Sequence, residues 1–479
     1  MGWPRFVTLV LCCLVLMAAS FTVALEERFP KKSQTTRQRS SKPADGDKTR
    51  LTLEQAVQQT LSRNPRVGEA LSRIMQRVWQ HQQAYSDFFP SADILYQGTW
   101  HRYAVGAHGY EFGPPDHMSR GFKESLRKTP FDIRYPYRVD PWKRFSGTAV
   151  LTQPVYQGGG TVARFNSAKL RITNSELQLQ VDRQDLILAV YHAYYSMMLA
   201  EKLLEVNGES IDTLKKLKSL NLKFLQAGTV TKTDVLSTET QLYSAYVQQR
   251  DLMRNVQSAR ALLNNLLSNP PETLVAILQD YRQRSNPYGI PQIYNTAMTN
   301  RDEIVQATND IRTAIEETKV AKSALLPKVA LVAEGTRIND DWNVLDPEGS
   351  NTWTLTGVVK WTFNMFRNNS AVKESREIVN ELIFARQRLV QDILQDVKIA
   401  YLAMKTDEGN IDDYRRAVAS QSENFRLFQL RYQQGDVSFT DVLIAETSLV
   451  SAKANYYTSL IQYRINQAVL ERRMGILRR

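Results

Sequence analysis

Two hydrophobic periods alternate along this chain. In the stretch beginning LTLEQAVQQTLSRNPRV, Leu53, Val57 and Leu61 and, past Pro65, Val67, Leu71 and Ile74 recur at helical spacing. This predicts a helix from Leu51 to about Tyr85 that kinks or breaks at Pro65. After Pro90 the period becomes two: Ala92, Ile94, Tyr96, Gly98 and Trp100 alternate with Asp93, Leu95, Gln97, Thr99 and His101, a strand with one mostly apolar and one more polar face. Residues 104 to 143, rich in Gly, Pro, His and charge, have no period and read as a long loop. A second strand follows from about Arg144 to Tyr156. Its facing stays open, because Phe145, Ala149 and Leu151 compete with Val150 for the apolar side. From about Gly160 to Leu225 there is no proline, and Leu177, Val181, Leu188, Tyr191, Tyr195 and Met198 follow the 4-3 spacing of a coiled-coil seam. That predicts one helix of about 65 residues, near 100 Å long at about 1.5 Å per residue. A turn at Gly228 leads into a helix from about Thr233 to Leu267, stopped by Asn269-Pro270-Pro271, and residues 268 to 290 form a linker.

The second half repeats this plan: a helix from about Gln292 to Leu326, a strand Lys328 to Arg337, a short loop, a strand Thr352 to Phe363, a long helix from about Ser370 to Gln433, a turn, and a helix Thr440 to Gly475. In its second strand Trp353, Leu355, Gly357, Val359 and Trp361 alternate with Thr352, Thr354, Thr356, Val358 and Lys360, the clearest two-faced strand in the chain. The repetition is also literal. Residues 228–242, GTVTKTDVLSTETQL, and 435–449, GDVSFTDVLIAETSL, agree at nine of fifteen positions, where unrelated segments share about one. The offset of 207 also aligns Ala193-Tyr194 with Ala400-Tyr401 and Tyr156 with Phe363. Before that the offset is 237, as Phe89-Pro90 matches Leu326-Pro327, so the first copy carries 30 extra residues between positions 90 and 156. The chain therefore divides into a first repeat over 51–267 and a second over 291–479. Each conserved stretch is the turn of a helical hairpin: Gly228 and Gly435 suit the left-handed position after a helix, while Thr231 and Ser438, three residues before Asp234 and Asp441, form capping boxes for the next.

Composition changes the picture at the N-terminus. Arg5 precedes an apolar run from Phe6 to Ala19, and small residues at Thr22 and Ala24 suit cleavage after Ala24, so residues 1–24 read as a signal peptide of an exported protein. Both cysteines, Cys12 and Cys13, lie in that run, which leaves the mature chain without thiols, lipid anchor or disulfide. Residues 25–50 are basic, polar and almost free of apolar side chains, a disordered leader. The formal charge is +12, yet Lys and Arg are spread among Asp and Glu along the helices, so a nucleic-acid partner is not expected. No later stretch has the apolar length of a membrane helix.

Helices this long cannot wrap one compact core, so their seams must meet neighbours within the chain or in further copies. Four strands with one apolar face likewise need their edges paired or closed into a barrel. Trp100, Trp142, Trp342, Trp353 and Trp361 fall in or beside the strands, and their placement suggests the aromatic girdles of an outer-membrane barrel. A soluble sandwich using Trp as core is the bland alternative.

The duplicated plan, LTLEQAVQQTLSRNPRV at the start, QPVYQGG before the first long helix and GTVTKTDVL and GDVSFTDVL at the turns resemble the TolC-type outer-membrane efflux and export channel family over nearly all of residues 51 to 475. The resemblance implies a mainly α fold with β: internally duplicated long helical hairpins plus four strands per chain, three chains forming a 12-stranded outer-membrane β-barrel continuous with a periplasmic α-helical barrel. It implies a homotrimer in the outer membrane of a Gram-negative bacterium, contacting lipid, docked through its hairpin tips on a periplasmic adaptor that joins an inner-membrane transporter, in an efflux pump or type I secretion system. The tips are Gly228, Thr229, Val230 and Thr231 and Gly435, Asp436, Val437 and Ser438. Asp441 would line the closed entrance as an acidic ring, with Asp234 and Tyr432 as further constriction candidates; pattern alone assigns the two aspartates to helix caps. The sequence departs from the family pattern at Ile444, where a second acidic position is common, in Trp361-Thr362-Phe363-Asn364-Met365-Phe366, where a Gly pair is common, and in the length of Ala104–Lys143.

Other chemistry finds no support. His81, His101, His108, His117 and His192 lack metal-ligand spacing, and Gly158-Gly159-Gly160 opens a helix without the Lys-Ser/Thr of a phosphate loop. Neither an enzyme nor a cofactor is expected. Tyr191, Tyr194 and Tyr195 read as packing residues. The competing function is a periplasmic coiled-coil adaptor or structural protein, which would carry one hairpin between β-rich domains rather than two hairpins and four barrel-grade strands.

Overall fold

A computed structural model describes residues 50–101, 142–281, 289–344, 349–364 and 366–477. The signal segment, the basic leader and nearly all of the 104–143 loop lie outside these residues.

The first repeat begins with α1 (Leu53–Arg63) and α2 (Pro65–Ser86). Thr52 and Gln55 cap α1 reciprocally, at 3.0 and 3.2 Å. The predicted break falls at Asn64, held extended (ψ 128°) as residues before proline are. Its side chain starts α2 by accepting from the Arg66 N–H at 3.0 Å and donates to the Leu266 carbonyl at 2.9 Å. The strands β1 (Ser91–His101) and β2 (Trp142–Tyr156) follow, then α3 (Gly160–Gln226, 67 residues) and α4 (Lys232–Leu267).

The second repeat has the same order: α5 (Ile290–Asn300), α6 (Asp302–Ser323), β3 (Lys328–Asn339), β4 (Ser350–Lys360), α7 (Arg367–Gln434, 68 residues) and α8 (Phe439–Arg473). One boundary corrects the sequence reading. The single helix expected from Gln292 to Leu326 is broken at Arg301 (ψ 111°), without a proline to announce it. Tertiary contacts explain the break: buried Arg301 donates to the Arg473 carbonyl at 3.2 Å and to Glu303 at 3.0 Å, tying the joint to the end of α8. The fourth strand also ends at Lys360, short of the expected Phe363.

The strands form one antiparallel sheet in the order β1-β2-β3-β4, so β1 and β4 are its edges. Register resolves the second strand. Ile94, Ala149, Gly335 and Trp353 share one row across the sheet, and Ala92, Leu151, Ala333 and Leu355 share another, which puts Phe145, Ala149 and Leu151 on the apolar face and Val150 opposite.

The helices form a layer beside it. Near the sheet the order is α2, α3, α6, α7; toward the turns it is α4, α3, α8, α7. Two apolar clusters hold the middle of the layer. One gathers Leu186, Val190, Tyr194, Met197 and Met198 of α3 with Val57, Leu263, Leu267 and Ile461, and the other gathers Ile393, Val397 and Met404 of α7 with Ile293, Leu460 and Tyr463. Tyr194 packs as the sequence suggests, and its hydroxyl donates to the carbonyls of Leu51 (3.1 Å) and Leu278 (2.6 Å), pinning the linker to α3. Among the described residues no helix is long and apolar enough to cross a membrane.

Candidate functional site: the hairpin tips and the apolar sheet face

Both turns are built as their sequences dictate. Gly228 (φ 75°) and Gly435 (φ 84°) adopt the left-handed conformation that costs glycine little. The next residue's N–H then reaches back five positions, Thr229 to Phe224 at 2.9 Å and Asp436 to Arg431 at 3.0 Å, satisfying the last carbonyls of α3 and α7. Asp234 and Asp441 are caps. Asp234 Oδ2 accepts from the Thr231 N–H (2.9 Å) and hydroxyl (2.8 Å), and Asp441 Oδ2 accepts from the Ser438 N–H (3.1 Å) and hydroxyl (2.7 Å).

The tips do not present their valines fully to solvent. Val230 and Val437 are half-buried against a cluster of Leu217, Tyr432, Phe439 and Val442, so the two turns share one apolar base. Their exposed residues are Gly228, Thr229 and Thr231 on one side and Gly435, Asp436 and Ser438 on the other. Tyr432, a constriction candidate in the sequence, lies between the two hairpins of the single chain. It is 6% exposed, with Phe224 and Phe439 rings at 5.9 and 5.3 Å, and its hydroxyl donates to Asn221 Oδ1 at 2.6 Å. Asn221 donates in turn to Thr238 at 3.0 Å. Burial, with the Asp234 charge adding to it, pushes the Tyr432 phenol up to about 12. Within one chain Tyr432 thus braces the second hairpin against the first rather than standing free at an opening.

Sequence reasoning passed over Glu446. Its carboxyl is 3% exposed on α8, accepts a hydrogen bond from the Ser210 hydroxyl of α3, and is pushed up by burial. Neighbouring Lys453 opposes that shift but is engaged by Glu209 at 2.7 Å. The same offset that aligns the turns places Glu446 on Glu239, an ion-paired surface residue, so the duplicated pattern itself hides the difference.

On the sheet, the face carrying Ile94, Tyr96, Trp100, Trp353, Leu355 and Val359 is open to solvent in the single chain, with Ile94 82% and Trp353 80% exposed. The opposite face carries Asp93, Gln97, Thr148, Glu334, Thr352, Thr354 and Thr356. A contiguous exposed apolar face of this kind marks a contact surface. Trp100 stands toward the loop end of β1 and Trp342 in the β3–β4 loop, where Tyr96 donates to the Trp342 carbonyl at 2.7 Å. Trp142 begins β2 opposite His101. Trp361 stands at the helix end, donating to the Leu325 carbonyl at 3.0 Å, with the Phe363 ring tilted against it at 4.4 Å between centroids. Phe363 and Phe366, both exposed, extend this lower band.

Comparison with known proteins agrees with this geometry. The family model described as outer membrane efflux protein matches residues 56–269 and again 293–475. The chain is 24% identical over 292 residues to the probable efflux pump outer membrane protein TtgC of Pseudomonas putida, a match covering 60% of this chain and 58% of that one. It is 22% identical over 354 residues to the outer membrane protein TolC of Escherichia coli, covering 69% of each. Among solved structures, the Campylobacter jejuni CmeC outer membrane channel superposes with a TM-score of 0.75 at 18% identity, covering 88% of this chain and 85% of that one. CusC gives 0.74 at 16% identity, covering 89% and 92%. The twofold match of the family model, spanning most of the chain and both repeats, shows that this chain belongs to the outer membrane efflux protein family, whose members are channels of the outer membrane that reach into the periplasm.

Proposed function

We propose that three copies of this chain form the exit duct of a tripartite efflux pump or type I secretion system, passively conducting cargo handed over by a periplasmic adaptor and an inner-membrane transporter. One observation carries the reading: the sheet and the helical layer are open along the same two sides. The edge helix α2 runs into the edge strand β1, and the edge strand β4 runs into the edge helix α7. One rotation that pairs β1 with the next copy's β4 therefore also brings α2 and α4 against that copy's α7. Cyclic closure of this kind removes every open edge at once, and three copies give twelve strands. The apolar sheet face would then meet lipid and the threonine-rich face would line the lumen. TtgC is named for an efflux pump, which supports the pump assignment without naming a cargo for this chain. The exposed tip residues Thr229, Thr231, Asp436 and Ser438 would make the adaptor contact.

The test is extraction and reconstitution. Detergent-extracted protein should run as a heat-modifiable trimer and give discrete conductance steps in planar bilayers. A detergent-free soluble monomer would overturn the proposal and favour a periplasmic structural protein.

A further inference from the structure

At the helix end of the sheet a groove of about 410 Å³ lies between α6 and α7, lined by Ile315, Thr318, Lys319, Lys322, Arg376, Glu377, Val379 and Asn380. Its lining carries three cations, Lys319, Lys322 and Arg376, against one carboxylate, Glu377. Glu377 accepts from Asn380 at 3.1 Å, and Lys319 is matched by Glu316 at 2.7 Å. Lys322 and Arg376 have neither an ion pair nor a side-chain hydrogen bond among the described residues.

The groove's position is given by the elements around it. Ile315, Lys319 and Lys322 share one stripe of α6, and the chain just beyond carries exposed Leu325 and Leu326. The Leu325 carbonyl is bonded by Trp361, the exposed residue that follows β4 directly. Thr318 to the Ser375 carbonyl (3.3 Å) and Asn368 to the Ala324 carbonyl (3.1 Å) clasp α6 to α7. Lys322 and, further along the helices, Arg376 with Glu377 beside it thus stand on the helical side of the exposed Leu325, Leu326, Trp361 and Phe363. An amphiphile with an anionic head and apolar tails fits that order, and basic pockets at a membrane's edge hold lipid phosphates for this reason.

We propose that this groove is a binding site for the phosphate of an anionic glycerophospholipid of the inner leaflet, held by Lys322 and Arg376 with its acyl chains against Leu325, Trp361 and Phe363. The proposal rests on the apolar face meeting lipid. Arg376 offers a planar fork to phosphate oxygens and Lys322 a point charge.

Native mass spectrometry of purified full-length protein, relipidated with phosphatidylglycerol or phosphatidylcholine, tests it. Phosphatidylglycerol should be retained preferentially, and Lys322→Gln with Arg376→Gln should weaken that retention by about tenfold or more, since each surface cation contributes substantially to anionic-lipid attraction. Phosphatidylcholine retention should not change. The charge-preserving pair Lys322→Arg with Arg376→Lys should hold the lipid, which separates lost charge from lost fold. Equal retention of both lipids by the unaltered protein, or of phosphatidylglycerol by the glutamine pair, would overturn the site. Displacement of the lipid by inorganic phosphate alone would assign the groove to soluble anions and equally overturn it. Failure of the protein to enter bilayers of either lipid would overturn the membrane placement as well, a result distinct from insertion without preference.

Discussion

Glu446 sits where a carboxylate is costly, buried between α8 and α3 and accepting a hydrogen bond from the Ser210 hydroxyl. Desolvation raises its pKa above the ordinary glutamate value, and the Ser210 bond and Lys453 only partly oppose this. The sign of the pH dependence follows. A carboxyl whose folded pKa is raised favours folding while both states hold the proton, and that contribution is lost as pH climbs from the ordinary glutamate value through the raised one. Glu446→Gln should therefore leave the thermal midpoint nearly unchanged at acid pH and raise it near neutrality. Circular dichroism melts at the two conditions check this, and parallel pH profiles for variant and parent would refute it. Tyr432→Phe should cost about 1 to 2 kcal/mol, because Asn221 loses its donor in a buried site. The caps at Asp234 and Asp441 were legible as three-residue spacings. Glu446 and Tyr432 were not, because their roles depend on contacts between the two repeats, and those contacts follow the packing of α3 against α8 and the meeting of α3 with the end of α7 at the turns rather than any local spacing.

At the scale of elements, period and register agree. The alternation read in β1 and β4 is the alternation of the sheet, and the ambiguous β2 takes its facing from the strands on either side: Ala149 is fixed by Ile94 and Gly335. A strand whose own residues leave both faces possible is decided by its neighbours, since a one-residue slip would turn the apolar rows of all four strands out of line. The break in α5–α6 shows the reverse case. Apolar periodicity continues through Arg301, and a buried guanidinium bonded to the Arg473 carbonyl ends the helix there. If the apolar face meets lipid, Leu355→Arg should destabilise the barrel by about 2 to 4 kcal/mol near the midplane, while Thr356→Arg on the opposite face should be mild. The temperature at which the trimer loses heat-modifiable migration reads both. Equal losses would refute the facing assigned by register.

For the whole molecule, the duplication was the most legible property, because two copies of one sequence must fold to two copies of one plan. The coincidence of the sheet and helix edges is a property of the fold alone, since edges are defined by which strand lacks a neighbour. The same closure makes a prediction about Asp441 that no single chain can decide. In one chain its carboxylate is a cap, shared with the Ser438 N–H and hydroxyl, and a cap carries no consequence for conduction. In a closed trimer the three copies would converge near the axis, where mutual repulsion and scarce water make an acidic ring attractive to cations and most of all to multivalent ones. Asp441→Asn separates the two roles. The amide oxygen can still accept from Ser438, so the lost cap energy should be about 1 kcal/mol at most and the trimer should persist, while the ring loses all of its charge. Single-channel recordings of the parent protein should show cation preference and block by divalent or trivalent ions added on the tip side, and the Asn variant should lose most of that block. Lys232, one residue past the first cap, supplies the control: it sits at the tip, and its removal should not relieve block by cations. Identical selectivity and block in parent and Asn variant would leave Asp441 as a helix cap alone and move the constriction to other residues of the tips.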